Sequence, residues 1–270
     1  MIHSTKTCKS RVTVVLMALG VFGFARTVSA QTNDRLTPLQ QRILEQQRRL
    51  SSSDVEERRD ALMRLAAMKR PEASRAAISA MNDPEPVVRV TAVHAIAALP
   101  SADGAAALLP LLQDKQEFVR REAAQALGAT RSTTAVQPLI TLLTSDREAG
   151  VRASAAIALG EIHDEAAVVS LVNVLSGGEG KKKSKGGENE FVMRAAAQAL
   201  GQLHSRAGVA ALVATLTDER KPIDVRRAAA TALGEIGDSS AMPALKSAID
   251  SNDPYLSQSA RTALRRLPLK

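Results

Sequence analysis

The residues that could do chemistry in this chain are few. Beyond residue 30 there are three histidines, His94, His163 and His204. Zinc usually takes three or four protein ligands, so two or three scattered imidazoles make a poor metal site. His163 and His204 occupy matching positions in a repeated pattern, a slot that Arg131 and Gly237 fill elsewhere. Each is expected at a helix C-terminus, where histidine suits the helix dipole. His94 falls in the slot held by Gln125 and Gln198 and is expected to be a polar surface residue. The only cysteine is Cys8, and no Gly-x-Ser-x-Gly sequence occurs. The run Gly177-Gly178-Glu179-Gly180-Lys181 lacks the Gly-Lys-Ser/Thr ending of a phosphate loop and a strand before it. Acyl and phosphoryl transfer therefore have no support, and no catalytic, cofactor-binding or metal-ligating residue is expected.

Two further classes are weighed by charge and by rings. Lys181, Lys182, Lys183 and Lys185 could dock on an anionic partner or membrane surface, but Glu179, Glu188 and Glu190 nearly offset them. A solvated insertion is the expectation, with peripheral anionic contact as the sharper alternative. Beyond residue 30 the aromatics are Phe118, Phe191 and Tyr255, with no tryptophan. Single-strand nucleic-acid platforms need many exposed rings for stacking, and this chain offers almost none.

The first 30 residues read as a signal peptide. Lys6, Lys9 and Arg11 form a positive start, 12–24 is an apolar run, and Val28-Ser29-Ala30 supplies small residues at a cleavage site. The apolar run is too short to span a membrane. Cleavage after Ala30 would leave Gln31 first, and the chain is expected to be exported, periplasmic or secreted. The leader takes four of the 36 basic residues and none of the 28 acidic ones, so the net charge falls from +8 to +4. That weakens any nucleic-acid reading, which needs a dense basic face. The remainder has no cysteine for disulfides, which a long stacked core does not need.

What positions the remaining residues is a repeat. Ala123-Ala124-Gln125-Ala126-Leu127-Gly128 returns at 155–160, 196–201 and 229–234, with weaker copies at 61–66, 92–97 and 260–265. The anchors Leu65, Ile96, Leu127, Leu159, Leu200, Leu233 and Leu264 are spaced 31, 31, 32, 41, 33 and 31 residues apart. A fixed period of this length means stacked supersecondary units. Each unit reads as two antiparallel helices. In 114–145, Asp114 is expected to cap the first helix, Gly128 to close it and Ser132 to cap the second. Alanine at the contact positions favours helix and lets helices approach closely. Thr37-Pro38 reads as N-cap and N1 of a capping helix within 31–53. The repeat domain is expected over 54–267, with a flexible Gly/Lys-rich insertion at 176–190 that explains the long spacing, and a last unit reduced to its first helix. The expected fold is all-α, a right-handed α-solenoid of about seven two-helix units.

The run from Phe118 to Gly128, preceded by Asp114, resembles the HEAT-like repeats of the phycobilisome-lyase type, and the resemblance covers about 54–267. Asp precedes Arg by six residues at Asp83/Arg89, Asp114/Arg120 and Asp146/Arg152, and Arg58 and Arg226 fill the same arginine slot. The resemblance implies that these groups tie adjacent repeats together. Met193 and Ser257 interrupt the slot. Family members include protein-binding scaffolds, bilin lyases and an iron-dependent hydroxylase. The hydroxylase places His-Glu pairs directly after the repeat arginine. Here those positions hold Arg59-Asp60, Val90-Thr91, Arg121-Glu122, Ala153-Ser154, Arg194-Ala195 and Arg227-Ala228.

Second helices of such units are expected to line the concave face. Their outward slots include Ala106, Gln137, Val169 and Ala210, then Pro110, Thr141, Asn173, Ala214 and Ser247. Gln137, Thr141, Asn173 and Ser247 are the expected partner contacts, with the four lysines as the alternative. The surface is nearly uncharged and suits a protein or peptide partner rather than nucleic acid. The expected function is an exported scaffold or adaptor without catalysis. The alternative is an enzyme or chromophore-handling protein that resembles the bilin lyases or the hydroxylase.

Overall fold

In the computed structural model, residues 36–177 and 188–268 are described. Fourteen α-helices, six short 3-10 segments and no strand are found among them. After α1 (Pro38–Arg49), seven helices carry the alanine phrase: α2 (Val55–Ala67), α4 (Pro86–Ala95), α6 (Glu117–Thr130), α8 (Ala149–Ile162), α10 (Glu190–Gln202), α12 (Ile223–Ile236) and α14 (Pro254–Arg266). These are the first helices. Between them lie the second helices α3 (Pro71–Ala77), α5 (Ser101–Leu108), α7 (Val136–Ser145), α9 (Val168–Leu175), α11 (Val209–Thr217) and α13 (Met242–Ile249). The all-α stack that the repeat pattern implies is the architecture found.

First helices stack on first helices and make the most extensive contacts in the chain, while neighbouring second helices touch sparsely. From α7 onward, each second helix packs most heavily on the first helix that follows it. The core between the layers is aliphatic. Leu65, Leu127, Leu159, Leu200 and Leu233 are fully buried, as are Leu139, Leu171, Leu212 and Leu245 one layer across. Leu264, the last anchor, is half-buried.

Local chemistry departs from the expected caps in three places. Thr37 and Gln40 do form a capping box, with hydrogen bonds of 3.2 and 2.8 Å between side chains and backbone amides. Asp114, however, is not the N-cap of α6; Gln116 holds that position. The Asp114 carboxylate accepts the Gln116 amide at 2.8 Å in the turn before it, which frees its second oxygen for another partner. Ser132 makes no side-chain cap and its hydroxyl pairs with that of Thr134 instead.

Gly128 does not close its helix. It lies inside α6, and the left-handed C-cap is Arg131 (φ 53°). His163 (61°), His204 (51°) and Gly237 (73°) take the same left-handed conformation in their units, which supports the helix-end reading of both histidines. Gly128 is there for contact. A Cβ on it would sit 2.8 Å from the Ala158 Cα of α8. Gly160 faces Ala199 Cα at 2.9 Å, Gly201 faces Ala232 Cα at 2.9 Å, and Gly234 faces Ala263 Cα at 2.6 Å. These spacings are shorter than a Cβ tolerates, so only glycine allows the two helix backbones to come this close.

Candidate protein-binding faces

The edge formed by the N-termini of the first helices carries a row of arginines. Each reaches forward to the next unit. Arg58 Nε donates to Asp83 at 2.7 Å and Nη2 donates at 2.9 Å. Arg89 grips Asp114 at 2.7 and 2.8 Å, and Arg120 grips Asp146 at 2.7 and 3.0 Å. These are bidentate, charge-assisted bonds in a largely buried strip, the geometry that favours arginine over lysine. The third nitrogen turns back to the same unit. Nη1 of Arg89, Arg120 and Arg152 donates to the carbonyls of Asp83, Asp114 and Asp146 at 2.8, 2.9 and 2.8 Å. The Asp–Arg spacing of six thus reflects a backbone contact within the unit, and the ion pair runs across 25 or 26 residues to the next one. The groups do tie adjacent repeats together.

The charges on this strip shift accordingly. Burial would raise the Asp114 and Asp146 carboxyls, but hydrogen bonds from Arg89 and Arg120, and from the Gln116 and Glu148 amides, outweigh it and hold both below the usual carboxylate range. The Asp146 bond, above the opposing cost of burial, holds the Arg120 guanidinium above its ordinary value.

The row changes character after the third rung. Arg152 meets Glu188 through a single 2.7 Å bond, and its buried Nε has no partner among the described residues. Met193 occupies the next arginine slot. There Lys221 donates to the Leu175 carbonyl at 2.7 Å and rests 3.8 Å from the Met193 sulfur. Arg226 fills the sequence slot without an acidic partner among the described residues, and its Nε donates to the Leu216 carbonyl at 3.0 Å. Its neighbour Arg227 makes the forward pair, to Asp253 at 3.0 Å through Nε and through Nη2 as well. Ser257 bonds back to the Ile249 carbonyl.

The expected partner residues on the second helices are all at the surface. Gln137, Thr141, Asn173 and Ser247 are exposed, as are Ala106, Pro110, Val169, Ala210 and Ala214. The Thr141 hydroxyl is spent on the Gln137 carbonyl at 3.0 Å. The row is small and weakly polar. The lysines Lys181, Lys182, Lys183 and Lys185 lie outside the described residues, as does the leader at 1–30.

A second face emerges on the first helices. Eight large apolar residues are exposed among the described residues, and five of them, Met63, Val87, Ile157, Phe191 and Tyr255, lie on first helices. Val87, Phe118, Phe191 and Tyr255 share one slot, two residues before the arginine position. All three rings beyond residue 30 therefore stand in a single column. Phe118 is half-buried, while Phe191 and Tyr255 are 52% and 69% exposed. Arg194 covers the Phe191 ring at 5.3 Å and Arg227 covers Tyr255 at 5.0 Å. Counting aromatics alone misses this column; aligning them on the repeat arginine reveals it. A shallow depression lined by Thr231, Gln258, Thr262 and Arg266 lies on the same helices, between α12 and α14.

The histidines stay apart from any ligand set. His163 Nδ1 bonds the Glu161 carbonyl at 2.9 Å and His204 Nδ1 the Glu235 carbonyl at 2.8 Å. His94 is exposed, 3.5 Å from Glu122. Among the described residues no three His, Cys, Asp or Glu side chains converge as a metal site would need, and no helix is long and apolar enough to cross a membrane.

A family model for HEAT repeats matches residues 44–128, 106–180 and 185–265. No curated protein matches the sequence. Among solved structures, an engineered protein is similar at 23% identity and a TM-score of 0.51, covering 83% of this chain and 67% of that one. The complex of CpcE and CpcF of phycocyanin lyase from Nostoc sp. PCC7120 is similar at 24% identity and 0.49, covering 88% and 89%. Human deoxyhypusine hydroxylase in complex with glycerol is similar at 20% identity and 0.41, covering 84% and 96%. At these identities the likeness concerns the fold.

Proposed function

The chain belongs to the HEAT-repeat family, and from that premise we propose that it is an exported scaffold that binds a protein partner along its first helices and does no chemistry of its own. The observation that carries this is the placement of most exposed large apolar residues on one helix layer. Exposed apolar groups gathered on one face mark interaction surfaces. The packing supports the same layer. The glycine–alanine contacts draw the first helices together, while the second helices touch sparsely. A stack of rigid pairs bends toward its more closely spaced layer, and solenoids use the inner surface for binding. This moves the expected contact from Gln137, Thr141, Asn173 and Ser247 to the helices opposite.

Export rests on the leader pattern of 1–30. Mass spectrometry of the chain recovered from its cells should give an N-terminus at Gln31; an intact Met1 would count against it.

In-cell crosslinking of a C-terminally tagged chain tests the scaffold reading. Adducts to one dominant protein at Ile157, Gln198 or Thr231 support it. Adducts at Gln137 and Asn173 would return the contact to the second helices. A coloured protein or stoichiometric metal on purification would favour the enzyme or chromophore-handling alternative.

A further inference from the structure

We infer that the stack contains a built-in joint at α10. The helix splays from α12 at its N-terminal edge and pivots on its C-terminal end, and Lys221 is the strap that holds the joint closed. This holds whichever face of the stack receives a partner.

The N-terminal edge is pinned on either side of the joint. Arginine–aspartate pairs close it from α2 to α8, and Arg227 with Asp253 closes it between α12 and α14. Between α8 and α10 the tie thins to one bond from Arg152 to Glu188, with the Arg152 Nε buried and unpartnered among the described residues. Between α10 and α12 the arginine is replaced by Met193, and Asp218, which stands at rung spacing, is turned to Arg220. A thioether has no proton to donate, so Met193 ties nothing across this edge.

Lys221 fills the gap from the far side. It rises from the turn before α12, rests 3.8 Å from the Met193 sulfur and donates to the Leu175 carbonyl at 2.7 Å. Leu175 ends α9, so the ammonium also sits at the negative end of that helix. The strap thus joins the units on either side of α10. A single bond from a flexible four-carbon stem to a neutral carbonyl holds less firmly than a guanidinium fork on a carboxylate.

The other end of α10 is fixed by volume. A Cβ on Gly160 would lie 2.9 Å from Ala199 Cα, and one on Gly201 would lie 2.9 Å from Ala232 Cα. Gly201 is about 12 Å along the helix from Met193. Backbones that touch at one end and are unpinned at the other leave a rocking motion in which the N-termini separate. Between the two ends the buried side chains Ala195, Ala196, Ala197, Ala199 and Leu200 make apolar contacts, which carry no direction and do not lock the angle. The units from α2 to α8 and from α12 to α14 then behave as two arms, and a protein that grips both selects one angle between them.

The test is double electron–electron resonance on spin-labelled cysteine pairs. Cys8 is the only native thiol, so with Cys8→Ser the introduced cysteines are unique. Val87, Gly150 and Asp224 occupy one exposed slot on α4, α8 and α12. The Val87/Gly150 pair spans two pinned junctions, and Gly150/Asp224 spans the joint. Ile157/Thr231 spans the same two units nearer the pivot, and both positions are exposed. The expected distance distribution is about twice as wide for Gly150/Asp224 as for the other two pairs. Lys221→Ala should widen it further and leave Ile157/Thr231 unchanged. Met193→Arg with Lys221→Ala, which sets an arginine opposite Asp218, should narrow it to the Val87/Gly150 width. If that double variant lowers the thermal midpoint, Lys221→Ala alone decides. Equal widths in the parent chain, indifference to Lys221→Ala, or equal widening at both ends of α10 would overturn the inference.

Discussion

The two halves of the stack are held together by different forces. From α2 to α8, three bidentate arginine–aspartate rungs bind each unit to the next along one edge. In the first two units the glycine slot holds Ala66 and Ala97, and α2, α4 and α6 touch one another less extensively than α6 touches α8. From α6 to α14 the glycines Gly128, Gly160, Gly201 and Gly234 bring backbones into contact, while the rungs thin to a single bond, vanish at Met193 and reappear displaced at Arg227. The α6–α8 and α12–α14 junctions carry both devices, Arg120–Asp146 with Gly128–Ala158 and Arg227–Asp253 with Gly234–Ala263. Close backbone contact and directed ion pairs are thus separable ways of joining units that can also coexist. The first depends on volume and is indifferent to pH. The second depends on charge and tolerates a looser fit.

The comparison can be broken first at the core that both halves share. Leu65→Ala and Leu200→Ala should each cost about 2–5 kcal/mol, since both side chains are fully buried. Denaturant unfolding would read this; very unequal losses would mean that the halves differ in their cores as well as their edges. Next, Gly201→Ala should cost about 1–3 kcal/mol by overpacking, although alanine is the better helix former. Gly150→Ala, with open space around it, should be neutral or slightly stabilising. Equal effects at both positions would refute the close-contact role.

In the first half, Arg120→Ala leaves Asp146 without its bidentate partner, at a cost of about 1–3 kcal/mol. Acid should do the same to the Arg89–Asp114 and Arg120–Asp146 rungs. The Asp114 and Asp146 carboxyls are lowered in the folded chain, so their stabilisation is full above the ordinary carboxylate value of about 4 and is lost as pH falls through the lower folded values. Hydrogen exchange near pH 3 should therefore show α4 and α6 loosening before α10, where Met193 replaces the arginine. Uniform loosening would contradict the division. The smallest effect is a gain. Asp218 stands 25 residues beyond Met193, the spacing of the working rungs, and now serves only local bonds to Arg220. Met193→Arg with Lys221→Ala should create the missing rung and add up to about 1 kcal/mol, read as a raised unfolding midpoint.

Much of this was legible in the residues themselves. The period of the alanine phrase is a direct consequence of stacking, because each unit must present the same apolar positions to its neighbour. Leu127 and its equivalents are buried where that periodicity puts them. The shared slot of Arg131, His163, His204 and Gly237 marked the helix ends because a left-handed residue must sit there. What a residue does within its own turn or helix follows from chain-local rules, and those rules are written in spacing. What a residue does toward the next unit does not. Gly128 looks like a helix stop until Ala158 of the neighbouring helix is placed against it. Asp114 looks like the cap of the helix that follows it, until Gln116 takes that place and Arg89 is found to hold the carboxylate from the unit before. Arg226 and Arg227 are indistinguishable by type, and only the packing of α12 against the next unit shows that Arg227 reaches Asp253 while Arg226 turns to the Leu216 carbonyl. The sequence by itself determined the unit, its core and its ends, since these depend on periodicity and propensity. The tertiary structure decided which faces meet and which stay open, since that depends on distances between helices that no single unit contains.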